Sequence, residues 1–325
     1  MNPDANHDDL DTATEQALRT AAGELGAVGA VDVETTPPPE LRGRVLAAAR
    51  ARRAPAGMTE LSPVELHRIE LSRAITALRH LTAGRWDRRL DPPELAGWTV
   101  HDTVVHLAAN EALLAQALGI PLPAVPETET GNEARTALAV ARHRDQPPAR
   151  ALDELEEAAA TVDAHVSRLS PERLADTIEF WGQTTSLFGN LYARTFETWT
   201  HTDDVRRAVG APESPPPPQV MYQLCRGAVT VVPHMLRARG IVAPARLVRF
   251  HLDGPGGATW DLALPDGVAG PAGDAEPDAE LTIGTVDLCR AVSARIPKHG
   301  LRYTSRGDTG LVAQIVESLP ALATV

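Results

Sequence analysis

Between Thr184 and Gly210 the sequence TTSLFGNLYARTFETWTHTDDVRRAVG has the spacing of one long helix closed by glycine. Steps of three and four residues place Leu187, Leu191, Arg194, Glu197, His201, Asp204 and Ala208 on one stripe. The stripe is apolar at its ends and ionisable in its middle. Inward-facing Arg, Glu, His and Asp are costly to bury unless they are paired, hydrated or bound to a ligand. The fold that packs against this helix has to answer them. Glu197 and His201, four residues apart, can aim a carboxylate oxygen and an imidazole nitrogen at one point, as helices do when they offer two ligands to a divalent metal. The same spacing also suits an ordinary surface pair worth about 0.2–0.5 kcal/mol. A third ligand from another element would decide between the two.

Earlier segments supply that element. Ser62-Pro63-Val64-Glu65 reads as a capping box with proline at the first helical position, and Val64, His67, Leu71, Ala74, Ile75, Leu78 and Leu81 continue as an inward stripe. His67 on that face reads as a satisfied core histidine. A second helix is expected from Thr99, with Asp102 as its capping partner, to Leu118. Thr103, His106, Asn110 and Leu113 share a face there, which makes His106 the candidate third ligand. His101 reads as solvated near the helix start. Residues 119–147, rich in Pro and Glu, read as mostly loop. A third helix is expected from Pro148 to Leu169, on Leu152, Leu155, Ala159, Val162 and Val166. With the organising segment as the fourth, residues 58–212 are expected to form a four-helix bundle that builds a metal site from facing helices.

The run SPPPP at 214–218 reads as a stiff linker. Beyond it, residues 219–325 are expected to form an α+β domain with an antiparallel sheet. Its elements are a helix from Val220 to Arg239, the hairpin ARLVRFHLDGPGGATWDLAL, the strand AELTIG, a helix from Thr285 to Arg295, the strand LRYTSRG and a helix from Thr309 to Leu319. Residues 1–57 read as a helical, partly flexible extension. Within it, PPPELRGRVLAAARARR resembles the stretch that follows the sigma-binding module of anti-sigma factors, which implies a sigma factor as a possible protein partner.

Composition narrows the function. A net charge of −12 with no long basic run disfavours nucleic-acid binding. Cys225 and Cys289 are too few for a disulfide framework or a cysteine zinc finger, which suits a reducing cytoplasm. Neither a signal peptide nor a membrane span is expected.

Four stretches in register, GWTVHDTVVHLAANE, ARTFETWTHTDDVRRAVG, ELTIGTVDLCRAVSARI and SRGDTGLVAQI, resemble the mycothiol-dependent maleylpyruvate isomerase family. The resemblance implies a DinB-like bundle joined to a sterol-carrier-like C-terminal domain. It also implies a zinc ion held by His106, Glu197 and His201, its fourth position open to water or to the thiol of mycothiol. Zinc-bound thiolate would then be the nucleophile toward a small electrophile, for isomerisation or thiol transfer. Arg194, one turn before Glu197, is placed to receive a substrate or cofactor carboxylate in a bidentate pair, or to form an ordinary helix pair. Asp204 is placed to orient His201 or to tether a neighbouring element. Arg290, Arg295 and Arg306 match a basic region of the family pattern, with Arg290 a candidate cofactor contact. Trp199, Phe196 and Tyr192 read as core packing. The rival reading is a regulatory protein, anti-sigma-like or a thiol or metal sensor, with the bundle as its sensing domain.

Overall fold

The computed structural model describes residues 58–91, 95, 97–122, 132–180 and 183–323. The expected N-terminal helices, and the sigma-factor contact assigned to them, lie outside these residues. The described residues belong to one compact unit.

Two capping boxes set the first two helices. In α1 (Pro63–Arg79) the Ser62 side chain accepts from Glu65 N and Glu65 reaches back to Ser62 N. In α2 (Val100–Ala117) Thr99 and Asp102 make the same reciprocal pair. A further helix, α3 (Asn132–His143), occupies part of the segment expected to be loop. Its sequence NEARTALAVARH is dense in alanine and arginine, strong helix formers, and the surrounding prolines and glutamates hid that run. α4 (Pro148–Val166) follows, then the short α5 (Pro171–Leu174) and a hairpin of β1 (Thr177–Phe180) and β2 (Gln183–Ser186).

The organising helix, α6, spans Leu187–Ala208. It starts three residues later than expected. Thr184 and Thr185 are β-branched and pair in β2, while Ser186 caps the helix by accepting from Gly189 N. In the bundle α2 packs on α4 and α1 on α6, with α1–α4 and α2–α6 contacts closing it, and α3 lies against α2.

The proline that follows Val232 divides the expected helix 220–239 into α7 (Pro218–Thr230) and α8 (Val232–Ala238), because Pro233 has no N–H to continue the ladder. Strands β3 (Leu247–Asp253), β4 (Thr259–Ala263), β5 (Gly270–Pro271), β6 (Ala279–Gly284) and β7 (Tyr303–Gly307) form a sheet in the order β5-β4-β3-β6-β7. Three of its pairings are antiparallel, as expected, but β3 and β6 run parallel. Val248, Phe250 and Leu252 alternate inward against Trp260 and Leu262 on one side and Leu281 and Ile283 on the other. That face is covered by α7, α8, α9 (Thr285–Val292) and α10 (Thr309–Ser318).

The sheet lobe is not separated from the bundle by its linker. Leu66 of α1 and Trp199 of α6 belong to the same apolar core as Val220, Leu224, Phe250 and Leu288, with Tyr192 and Phe196 packed against it. The Tyr192 hydroxyl donates to the Gln223 and Leu224 carbonyls, 2.8 and 2.7 Å away. At Gly227 an added Cβ would come within 2.0 Å of that hydroxyl. α6 is therefore buried on two sides: the ionisable stripe faces the bundle, and the Tyr192-Phe196-Trp199 face meets the sheet lobe. No helix of the described residues is long and apolar enough to cross a membrane.

Candidate metal centre

Helices α2 and α6 bring the centre together. His106 comes from α2, Glu197 and His201 from α6, and one ligand atom of each lies within 4.8 Å of the others, the one such group among the described residues. His106 and His201 are 1% and 6% exposed, and the Glu197 side chain 13%. A desolvated cluster of this kind persists when each member has a partner.

The partners are specific. His106 Nδ1 lies 2.8 Å from the Thr136 hydroxyl of α3, which turns Nε2 toward Glu197 Oε1 at 2.7 Å. Asn110, one turn along α2, donates its amide to the same Glu197 oxygen at 2.8 Å. The other Glu197 oxygen accepts from Arg194 Nη1. Arg194, 0% exposed, also donates to Glu111 Oε2 from Nη2 at 3.2 Å and from Nε at 3.4 Å. Glu111 Oε1 stands 3.1 Å from His67 Nε2. His67, Glu111, Arg194 and Glu197 thus form a buried chain of alternating charge capacity from α1 to the centre.

This chain sets the protonation states. Burial by itself would push the Glu197 carboxyl upward, but the Arg194 charge, with the hydrogen bond from His106, outweighs it and holds the group at about 2. Glu111 is likewise raised by burial and brought below its ordinary value by His67 and Arg194. Burial pushes the His106 imidazole down, favouring the neutral form that a metal ligand must have.

Around the histidines, Trp98 stacks on His201 at 6.2 Å and 19° and tilts against His106 at 5.0 Å and 59°, while the two imidazoles stand 4.9 Å apart at 75°. On the other side of His201, Nδ1 lies 3.5 Å from Asp204 Oδ2 without a directed hydrogen bond. Asp204 accepts from Arg207 at 2.6 Å and from Arg295 at 3.0 Å. Burial would raise its carboxyl, but His201 and Arg295 outweigh burial and lower it from 3.8 to about 2. Its ionised form therefore stabilises the fold above about pH 4, and that contribution, about 2 kcal/mol, is lost as pH falls toward 2. Acid unfolding followed by circular dichroism between those values is expected to lose part of its slope in Asp204→Asn. An unchanged slope would show that the pairing contributes nothing.

The donors suit a divalent metal. Two imidazoles and one carboxylate, one imidazole held neutral and its ring fixed from behind by Thr136, match the three-ligand set of catalytic zinc centres that keep one position open. Residues 67–206 match the sequence model of the mycothiol maleylpyruvate isomerase N-terminal domain. This stretch belongs to that domain family. Among solved structures, the chain is similar to a crystal structure of the mycothiol-dependent maleylpyruvate isomerase, at 16% identity and a TM-score of 0.49, covering 74% of this chain and 91% of that one. A histidine-to-alanine mutant of that isomerase matches at 17% identity with the same coverage and TM-score. The apo form of sterol carrier protein 2 from Yarrowia lipolytica covers 33% of this chain and 92% of its own length, at 16% identity and a TM-score of 0.24. No curated protein matches the chain.

Within this isomerase-family domain the structure brings His106, Glu197 and His201 together as their spacing suggests. Of the two roles expected for Arg194, the structure shows the pair along its own helix, with Glu197. Its guanidinium is buried and engaged by Glu197, Glu111 and the Leu107 carbonyl, so it orients Glu197 instead of meeting an incoming carboxylate. Arg290 is drawn to Asp203, which accepts from Nε and Nη2 at 2.8 Å each, and to Glu213, and these acids fill the fork expected to bind cofactor. Arg306 is exposed on β7. His101, expected in solvent, is half-buried with its Nε2 shielded. Asp204 is tied to a neighbouring element through Arg295 and lies 3.5 Å from His201 Nδ1 without a directed hydrogen bond. A pocket between α2, α3 and α4, lined by Val105, Ala108, Ala112 and Ala139 and rimmed by Arg142 and Glu154, does not include the three ligands.

Glu111, Trp98 and Thr136 were missed. Glu111 had a signal: it follows Leu107 by four and precedes Leu114 by three, a carboxylate on an otherwise apolar face. Trp98 precedes the Thr99 cap, and nothing in spacing says which way it faces. Thr136 sat in the segment read as loop.

Proposed function

We propose that the chain is a zinc-dependent, mycothiol-using isomerase or thiol transferase acting on a small electrophile. The observation that supports it most is the convergence of His106, Glu197 and His201, the first two held by buried partners, inside a domain of the isomerase family. When bound, zinc would supply a Lewis acid that keeps a thiol deprotonated near neutral pH. His106, Glu197 and His201 would hold it. Thr136 and Asn110 fix the His106 ring and the near Glu197 oxygen, while Arg194 keeps Glu197 anionic. Trp98 sets an apolar ring against both imidazoles. A sulfur nucleophile that adds to an electrophilic carbon and departs after rotation isomerises the substrate, whereas one that remains bonded transfers the thiol. The regulatory reading, with the bundle as a thiol or metal sensor, shares this centre, and its partner contact is assigned to residues 1–57, outside the described residues.

The test is turnover. Zinc-loaded protein given mycothiol and maleylpyruvate, followed by proton NMR, is expected to convert the cis-alkene only when thiol is present, and to leave the thiol unconsumed if it isomerises. Consumption of thiol with a new carbon–sulfur bond would select transfer. Conversion at the same rate without thiol would contradict the proposal.

A further inference from the structure

One carboxylate links the sheet lobe to the centre. Asp204 is 1% exposed, and His201, Arg207 and Arg295 converge on it. The first two share its helix. Arg295 alone arrives from the sheet lobe, just beyond the end of α9, donating to Asp204 Oδ2 from Nη2 at 3.0 Å and from Nε at 3.1 Å. Its remaining arm donates to the Ser293 carbonyl at 2.7 Å, so the guanidinium is fixed from both sides. The backbone before it is unusual. Ala294 has φ 58, a left-handed conformation in which the Cβ of an alanine crowds the backbone. The turn closes with Arg295 N donating to the Arg290 carbonyl at 2.6 Å, and it aims a side chain that is only 7% exposed back at α6. Strain kept at a turn that delivers a buried polar side chain points to a task for that side chain.

Arg290 supplies the contrast. It forks onto the neighbouring Asp203 and joins the same two lobes, but Asp203 is not paired with any of the three candidate ligands. Of these two clamps between the lobes, only Arg295 reaches a carboxylate that faces an imidazole of the centre.

We infer that Arg295 is a positioning residue for the centre: it fixes Asp204 so that the carboxylate selects the Nδ1-protonated tautomer of His201 and leaves Nε2 for the metal. This rests on the metal reading above. The sheet lobe thereby becomes part of the site without touching it.

The test compares wild type with Arg295→Ala, Arg295→Lys and Arg290→Ala. Long-range proton–nitrogen NMR of the metal-free proteins reads the His201 tautomer, competition with a chelator reads zinc affinity, and thermal melts read folding. Wild type and Arg290→Ala are expected to share the Nδ1-protonated form and to bind zinc within about twofold of each other. Arg295→Ala is expected to mix tautomers and to bind zinc about 10- to 100-fold more weakly, with Arg295→Lys recovering part of both while staying folded. An unchanged tautomer and affinity in Arg295→Ala would overturn the inference, as would an equal loss in Arg290→Ala, which would mark both arginines as clamps between lobes only. If wild type takes up no zinc while the tautomer still follows Arg295, the positioning role stands and the metal reading falls.

Discussion

Arg194→Ala is expected to destabilise the protein by about 3–5 kcal/mol, the cost of leaving buried charges without their partner. Arg194 and Glu111 are both 0% exposed, and Arg194 also holds Glu197. Removing the guanidinium leaves Glu111 with His67 as its remaining partner and deprives Glu197 of the charge that keeps it ionised. Lysine should restore little, since one ammonium cannot reproduce a fork shared between two carboxylates. Urea denaturation measures the loss. The double variant Arg194→Ala, Glu111→Ala should lose less than the sum of the two singles, because the second change removes the charge that the first one orphans. A loss below about 1 kcal/mol in Arg194→Ala, within the range of an exposed ion pair, would contradict the buried chain.

The same residues show how far the sequence could be read. The Arg194-Glu197-His201-Asp204 stripe was legible because helical spacing forces those residues onto one face whatever packs there, and His106 was legible because two capping residues fix the start of α2. The partners were not. Whether Arg194 faces a substrate or Glu111 depends on a helix 83 residues away, and no local pattern encodes that choice. Thr136 went unseen because α3 is a short helix among prolines. Trp199 and Tyr192 were readable as packing residues, but that they pack on the sheet lobe, leaving α6 buried on both sides, is a tertiary fact. The parallel β3–β6 pair was hidden for a related reason: alternation fixes which face of each strand is buried, not the direction of its neighbour.

The second large effect concerns the ligands themselves. His106→Ala and His201→Ala are each expected to weaken zinc binding by more than about 100-fold, beyond what loss of an outer partner costs. Neither change removes a member of the Arg194–Glu111 pair, so both variants should stay folded. Elemental analysis of the purified proteins should therefore find one zinc per wild-type chain and almost none in the variants. Iron in place of zinc would keep the centre and overturn the choice of metal, since two histidines and a carboxylate also suit ferrous iron. Full zinc in both variants would remove the centre.

Cobalt substitution joins the metal to the thiol. Mycothiol added to the cobalt-loaded protein is expected to produce a sulfur-to-metal charge-transfer band that weakens as pH falls, because the thiol must release a proton to coordinate and the histidines compete for protons. The band should be absent in His201→Ala. Cobalt retained by the wild-type protein with no such band at saturating mycothiol would contradict the thiol chemistry.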